Sequence, residues 1–243
     1  MPGPGTSGAK TALYPMWNSP MDIGFDFKYS VMWESIPTLL IGMKWTILIT
    51  IFGLLIGFLL GALFGLMRIS GNPFLRKLAG TYIESVRGTP IMVQVMFIYF
   101  GLPMALNTRI PPMIAGIVAI AVNSGAYIAE VFRGAFQSID PGQTEAGRSI
   151  GLTGLQTRYY VIWPQAFKRM IPPLGNQFII SLKDTSLLVV VGVGELTRTG
   201  QEIIASNFRA FEVWLTVAIL YLVMTLSLSK VLNLLEKKMD ISQ

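Results

Sequence analysis

The chain has 243 residues, of which 52% are hydrophobic and only 13% are charged, whereas soluble domains average about 25% charged residues. Several apolar stretches of membrane-spanning length follow one another, so the composition predicts a polytopic membrane protein. Cysteine and histidine are both absent, which excludes disulfides, histidine-based catalysis and zinc sites of the Cys/His type. No Gly-x4-Gly-Lys-[Ser/Thr] phosphate loop occurs, so the chain is not expected to hydrolyse ATP itself.

The N-terminal segment is predicted to lie outside the membrane. Residues 1–30 have no net side-chain charge and lack the basic and apolar regions of a cleavable signal peptide. Because a short neutral tail can be carried across ahead of the first span, we expect 1–30 to be a periplasmic extension and 31–243 to be the membrane domain. Phe27–Lys44, which contains several aromatic residues, is predicted to be an interfacial helix leading into the membrane.

The first span is predicted at Thr46–Met67, and four of its residues form a glycine stripe with a four-residue period. Such a stripe lets another backbone approach closely, as in small-xxx-small packing. The pattern favours a tight helix–helix seam, within the chain or between subunits, over glycines that are merely tolerated. The four positions are Gly53, Gly57, Gly61 and Gly65.

The second span is predicted to be interrupted at Gly88, Thr89 and Pro90, which combine a helix break with a new helix start. Pro90–Leu102 supplies only about 20 Å of helix, against a hydrocarbon core of about 30 Å. The span is therefore either kinked or discontinuous, and broken spans often line a substrate path because freed backbone groups need water or a ligand. A simple helix start at the membrane interface is the alternative.

The third span, predicted at Pro112–Phe132, carries one polar stripe. Asn123, Tyr127 and Glu130 lie at i, i+4 and i+7 on an otherwise apolar helix. A carboxylate within a span indicates a functional site by default, and the alternative is that Glu130 is structural and pairs with a lysine.

A polar hairpin at 140–164 follows, and the basic residues around it predict a cytosolic location. Its first helix is predicted to begin at Pro141, which Asp140 can cap, with Gln143 placed as in a capping box. Gly151 permits the left-handed backbone that ends such a helix.

The second short helix of the hairpin is predicted from Thr153 and Gln156, which repeat the cap-and-box spacing, and Pro164 is expected to stop it. In the first helix, Gly147 costs about 1 kcal/mol relative to alanine. Small residues there could leave a flat surface beside Glu145 that enters a groove on a partner. The alternative is an ordinary amphipathic helix lying on the membrane.

The fourth span is predicted at Pro172–Gly194, with four consecutive polar residues near its middle. Lys183 and Asp184 point about 100° apart, so each needs a separate partner, and Glu130 is a candidate for Lys183. Polar residues at that depth are costly, which favours a pathway lining over plain packing. The four residues are Lys183, Asp184, Thr185 and Ser186.

An outer loop is predicted at Thr197–Phe211, followed by a fifth span at Val213–Leu235. The inner segments of this arrangement hold twelve Lys and Arg residues and the outer ones six, while Lys183 lies within a span. Because cytosolic segments carry the basic excess, we predict an all-α protein with five spans, N-terminus outside and C-terminus inside. The net charge of +6 thus indicates membrane orientation and not nucleic-acid binding.

The hairpin resembles the EAA loop of ATP-binding-cassette (ABC) importer permeases, whose signature reads Glu-Ala-Ala, three residues, Gly, nine residues, Ile, one residue, Leu-Pro. This chain reads EAGRSIG and departs mildly at Gly147, Val161 and Trp163. RGTPIMVQVMFIYFGLP, NSGAYIAEVFRG, PPLGNQFIISLKDTSL and GELTRTGQEI resemble the polar amino-acid uptake branch, including its glutamine-transporting members from enteric bacteria. The matches run from about Ile36 to the C-terminus, and 1–30 lie outside them.

The resemblance implies a type I ABC importer permease of the bacterial inner membrane that takes up polar, glutamine-like amino acids by ATP-driven alternating access. It implies an ABC ATPase that binds ATP and Mg²⁺, a periplasmic amino-acid-binding protein and a second permease subunit, expected to be an identical copy. No cofactor or metal is expected on this chain, which is not expected to be an enzyme. The EAA helix would dock on the ATPase, and the implied coupling residues are Glu145, Ala146, Gly147 and Gly151.

An amino acid is a zwitterion, so its path needs donors for the carboxylate and an acceptor for the ammonium group. The predicted pathway residues are Gly88, Thr89, Pro90, Asn123, Tyr127, Glu130, Lys183, Asp184, Thr185 and Ser186. An ion-coupled secondary carrier that uses three of these charges as relay groups is the alternative, disfavoured because five spans show no internal repeat. A membrane enzyme with Asp184 and Glu130 as a carboxylate pair lacks a neighbouring nucleophile.

Overall fold

The computed structural model describes residues 26–239, and every regular element among them is helical. The nine helices are α1 (Tyr29–Arg68), α2 (Pro73–Arg87), α3 (Ile91–Leu106, with a π turn at Phe97–Gly101), α4 (Pro112–Gln137), α5 (Pro141–Ser149), α6 (Gly154–Thr157), α7 (Trp163–Asp184), α8 (Leu196–Asn207) and α9 (Ala210–Lys238). A π turn at Arg158–Ile162 joins α6 to α7, and a 3₁₀ helix at Thr185–Val191 continues α7.

Four helical segments of the described chain are long and apolar enough to cross a membrane, and the predicted five are reached when one bent helix pair is counted as a span. Four are continuous by length and hydropathy, namely α1, α4, the segment Gly154–Val191 and α9. The fifth is the pair α2 and α3, whose axes are bent by 101° at the break. Pro90 has extended backbone there (φ −60°, ψ 138°), so a new helix starts after it. The predicted interruption of the second span is therefore confirmed.

The predicted interfacial helix at Phe27–Lys44 is not a separate element, because α1 runs without a break from Tyr29 to Arg68. Its first turns are held by packing: Leu39 is fully buried in a cluster with Leu196 and Val213. The predicted boundary between 30 and 31 falls within the first turn of α1. The predicted extension otherwise lies outside the described residues.

The glycine stripe of α1 forms a seam with α4 inside the chain, as one of the two predicted arrangements. A Cβ added at Gly53 would lie 2.6 Å from Ile120 Cγ2, and one at Gly65 would lie 2.6 Å from Phe132 Cβ. Only glycine therefore allows the two helices this separation. Along the seam, Gly53, Gly57, Gly61 and Gly65 face Ile120, Ser124, Ile128 and Phe132, respectively.

The fourth span begins earlier than predicted. Pro164 does not stop the second hairpin helix, because the chain stays helical from α6 through the π turn into α7, and Pro164 lies in the first turn of α7. Pro172 and Pro173 lie inside α7 rather than at its start. Asp184 ends α7, and the chain then tightens into the 3₁₀ helix before Gly192, which has φ +79°.

The predicted outer loop at Thr197–Phe211 is wrong over most of its length, because α8 occupies it. Glu195 is fully buried and caps α8 by accepting hydrogen bonds from the backbone N–H groups of Thr197 and Arg198, both at 2.8 Å. Tyr221 on α9 also donates to Glu195, at 3.1 Å. Burial raises the pKa of the Glu195 carboxyl, and these hydrogen bonds oppose the rise.

Candidate translocation cavity and hairpin

A cavity of about 520 Å³ opens where the α2–α3 break faces α4 and α7. We call it the break cavity. Six of the predicted pathway residues line it: three from the break, two from the polar stripe of α4, and Asp184 from the end of α7. The predicted residues that line it are Gly88, Thr89, Pro90, Asn123, Tyr127 and Asp184.

The break cavity contains one cationic and one anionic side chain. The Arg87 guanidinium lies over the Tyr127 ring, 5.2 Å from its centroid, and its Nη1 is 3.4 Å from Glu130 Oε2. Asp184 forms no hydrogen bond or ion pair with any residue of the described chain. A free carboxylate and a guanidinium that retains unpaired N–H groups can bind the two charges of a zwitterion.

The predicted pair between Glu130 and Lys183 is not formed. Two arginines pair with Glu130 instead. Its Oε2 is 2.7 Å from Arg133 Nη2 and 3.4 Å from Arg87 Nη1. Glu130 lines a different cavity of about 550 Å³, between α2 and α4 on the hairpin side of Arg87. We call this the hairpin-side cavity, and Arg87 lines both cavities.

Three further predicted pathway residues do not line the break cavity. The Thr185 hydroxyl is fully buried and donates to the Leu182 carbonyl at 2.7 Å. The Ser186 hydroxyl donates to the Lys183 carbonyl at 2.7 Å, and the Lys183 side chain is exposed. Both hydroxyls thus donate to carbonyls three residues earlier in their own helix, and neither residue lines the break cavity.

Sequence reasoning missed three polar residues at or near the break cavity. Arg87 counted only as a basic residue that marks the cytosolic side, yet it lines the cavity. Gln177 also lines it, and its Nε2 donates to Ser181 Oγ at 3.2 Å. Gln94 lies just behind Asn123, whose Nδ2 is 3.2 Å from Gln94 Oε1. A lone amide in an apolar helix was the signal for both glutamines.

The hairpin has the predicted caps. Asp140 Oδ1 accepts from the Gly142 N–H at 2.7 Å, and Gly151 adopts φ +90°. The capping box of α6 is present, with Thr153 N–H donating to Gln156 Oε1 at 2.9 Å. Gln143 does not complete a box with Asp140.

The Gln143 side chain instead ties the hairpin to α7, because its Oε1 accepts from Gln165 Nε2 at 3.0 Å. Gly147 is buried in the hairpin, and a Cβ there would lie 2.6 Å from Thr157 Cγ2. Contact between the two hairpin helices therefore requires glycine at this position. Glu145 and Ala146 are exposed.

A third cavity, of about 680 Å³, lies between the hairpin and the ends of α1, α2 and α4. We call it the arginine cleft, after its four arginines. Three of them have no carboxylate within 4 Å among the described residues, so the cleft is strongly electropositive. The four are Arg68, which pairs with Glu84, and the unpaired Arg76, Arg148 and Arg158. In the described part of the chain, no group of three or more acidic residues could hold a metal ion.

Comparison with known proteins gives one consistent result. The chain is 55% identical over 216 residues to the glutamine transport system permease protein of Escherichia coli K12, with 88% of this chain and 99% of that protein covered. It is 35% identical over 223 residues to the L-cystine transport system permease protein TcyL of Bacillus subtilis, with 89% and 93% covered.

Solved structures have the same fold. A crystal structure of an amino acid ABC transporter with histidines matches with a TM-score of 0.84 and 40% identity, covering 88% of this chain and all of that one. An inward-facing MetNI methionine ABC transporter matches with a TM-score of 0.68 at 22% identity, covering 87% and 99%, which shows the fold alone. Residues 53–241 match the family of binding-protein-dependent transport system inner membrane components. This chain belongs to that family and has the fold of a type I ABC importer permease.

Proposed function

We propose that this chain is the membrane-spanning subunit of an ATP-driven importer that takes up glutamine or a similar polar amino acid. The observation that carries the proposal is the break cavity, where Arg87 and Asp184 offer opposite charges beside amide and hydroxyl groups. Such a set can bind the carboxylate and the ammonium group of one amino acid. The names of the similar permeases for glutamine and cystine support an amino acid, and the 55% identity favours glutamine.

The two cavities share Arg87 as a lining residue, which supports an alternating-access path that passes this side chain. A substrate in the break cavity would leave through the hairpin-side cavity once the Arg87 side chain moved away from Glu130 and Tyr127. Because Glu130 is held by two arginines, it is poorly suited to carry protons as a relay. This disfavours the ion-coupled carrier.

The hairpin is proposed to dock on the ATPase subunit that binds ATP and Mg²⁺. Glu145 and Ala146 are exposed and available to a partner, while Gly147 and Gly151 give the hairpin its shape. The neighbouring arginine cleft adds positive charge that suits an acidic surface of the same partner. A periplasmic amino-acid-binding protein and a second, identical permease subunit complete the proposed complex.

Reconstitution in liposomes tests the proposal. The chain, with its ATPase and binding protein, would be supplied with ATP and with labelled L-glutamine, L-cystine or L-histidine. We expect ATP-dependent uptake that is fastest for L-glutamine. Uptake that continued without ATP but followed a proton or sodium gradient would overturn the proposal.

A further inference from the structure

We infer that Gln94 is a positioning residue that fixes the orientation of the Asn123 side-chain amide. As a result, the break cavity selects a substrate with a carboxamide side chain over one with a carboxylate. The inference rests on the proposed function of that cavity. Gln94 itself does not line the cavity, and it acts through Asn123, which does.

The orientation of the Gln94 amide is set by the broken span. Gln94 Nε2 donates to the Val86 carbonyl at 2.7 Å and to the Thr89 carbonyl at 2.9 Å, and it is 3.2 Å from Thr89 Oγ1. Carbonyl oxygens only accept hydrogen bonds, and the –NH₂ group is the only donor of a carboxamide. The nitrogen of Gln94 must therefore face the break, because the flipped amide would place oxygen against oxygen.

The orientation of Asn123 follows from that of Gln94. With its nitrogen committed to the break, Gln94 presents Oε1 to Asn123 and can only accept there. Asn123 Nδ2 lies 3.2 Å from this oxygen, so Asn123 turns its nitrogen toward Gln94 and its Oδ1 away from it. The backbone carbonyls at the break thus determine the orientation of the Gln94 amide, which in turn determines that of the Asn123 amide.

The Asn123 Oδ1 is open to the break cavity. Asn123 is only 6% exposed, and its Oδ1 accepts no hydrogen bond from any residue of the described chain. Among the described residues, no fully buried side-chain oxygen or nitrogen lacks a partner. The Asn123 Oδ1, which has none, is therefore not fully buried. Because Asn123 lines the break cavity, its Oδ1 reaches the space where a substrate would lie.

A fixed acceptor discriminates between substrates. The Asn123 Oδ1 can accept from the –NH₂ group of a glutamine side chain, whereas a glutamate carboxylate there would face it with a second acceptor. Gln177 offers no comparable restriction, since its partner Ser181 has a hydroxyl that can donate as well as accept. Of the two amides that line the cavity, Asn123 is thus the one whose orientation is determined by the surrounding residues.

Direct binding tests the inference. L-glutamine and L-glutamate would be titrated by calorimetry into the purified permease–ATPase complex without binding protein, so that the selectivity of that protein does not enter. Gln94→Met keeps the side-chain length but releases Asn123. Asn123→Leu removes the acceptor and leaves Gln94 bonded to the break. Gln201→Met is the matched control, because Gln201 is an exposed glutamine of α8 whose side chain forms no hydrogen bond with any described residue.

We expect the wild-type complex to prefer L-glutamine. Gln94→Met and Asn123→Leu should each bind L-glutamine about tenfold more weakly and lose L-glutamate affinity by less than about threefold, as for one hydrogen bond lost. Gln201→Met should match the wild type.

If Asn123→Leu lost affinity for both ligands equally, or lost none, the inference would be overturned. If Gln94→Met fails to assemble, the result for Asn123→Leu is decisive. Equal binding of the two ligands by the wild type would overturn the selectivity and leave the proposed function intact. Failure to bind any amino acid would overturn both.

Discussion

Arg87 and Glu130 form an ion pair, with 3.4 Å between Nη1 and Oε2, at the boundary between the break cavity and the hairpin-side cavity. The Tyr127 ring covers the same guanidinium. Arg87 thus lies next to both the proposed substrate site and the proposed exit, and its planar group is suited to stacking on a ring while it binds carboxylates.

Arg87→Lys should impair transport although the charge is kept. An ammonium group cannot stack on Tyr127 or bind a carboxylate through two parallel hydrogen bonds, so we expect the apparent KM for L-glutamine to rise about tenfold. Uptake kinetics in liposomes measure this. Arg198→Lys, at an exposed ion pair on α8, serves as the control. An unchanged KM for Arg87→Lys would contradict a role in substrate binding.

Asp184→Asn should leave expression and assembly intact and reduce uptake about tenfold or more. The amide keeps the size of the side chain but removes the negative charge proposed to bind the substrate ammonium group, whose charge-assisted hydrogen bonds are the stronger kind. Initial uptake rates at matched protein level measure the effect. Glu34→Gln removes an exposed carboxylate of α1 and should transport normally. Normal transport by Asp184→Asn would show that the Asp184 carboxylate does not bind the substrate ammonium group.

Gly61→Ala should destabilise the folded protein. The added methyl group would overlap Ile128 across the seam between α1 and α4, and overpacking of this kind typically costs about 1–3 kcal/mol. The thermal midpoint in detergent measures the loss. At Gly134, also within a helix, a methyl group would meet nothing within 4 Å, so Gly134→Ala should keep or raise the midpoint. Equal midpoints for the two variants would argue against a close seam.

Glu145→Lys should uncouple the permease from its ATPase. Glu145 is exposed on the hairpin, so the substitution is expected to leave folding unchanged but to reverse a charge at the proposed docking surface. We expect lower co-purification of the ATPase and slower uptake at normal membrane levels. Glu34→Lys, on α1 outside the hairpin, should retain both. Full recovery of the ATPase with Glu145→Lys would refute the docking assignment.

The predicted orientation can be tested with reporter fusions. A reporter that is active only in the periplasm should work when fused after Asn207, at the end of α8, and fail when fused after Gly151 in the hairpin. The excess of basic residues on the hairpin side is the physical reason. The reverse pattern would place the hairpin in the periplasm and overturn the five-span orientation.

Features that depend on neighbouring residues were predictable from the sequence. The caps at Asp140 and Thr153 join groups two or three residues apart, so the chain order already places donor beside acceptor. The break before Pro90 and the five apolar segments follow equally from local conformation and hydropathy. The glycine stripe predicted a seam because its period places all four residues on one helix face, although not which helix packs there.

Features that depend on distant residues required the tertiary structure. The partners of Glu130 include Arg87, which lies across the contact between α2 and α4, and the proximity of a basic side chain in space decides such a pair. Gly147 was interpreted as a partner surface, whereas Thr157 of the next helix explains the glycine. Gln94 and Asn123 lie on different helices, so only the packed fold shows that their amides are within hydrogen-bond distance. The sequence by itself determined a polytopic helical chain with a broken span and a capped hairpin; packing decided which polar groups share the break cavity, because side chains meet there through folding and not through their order along the chain.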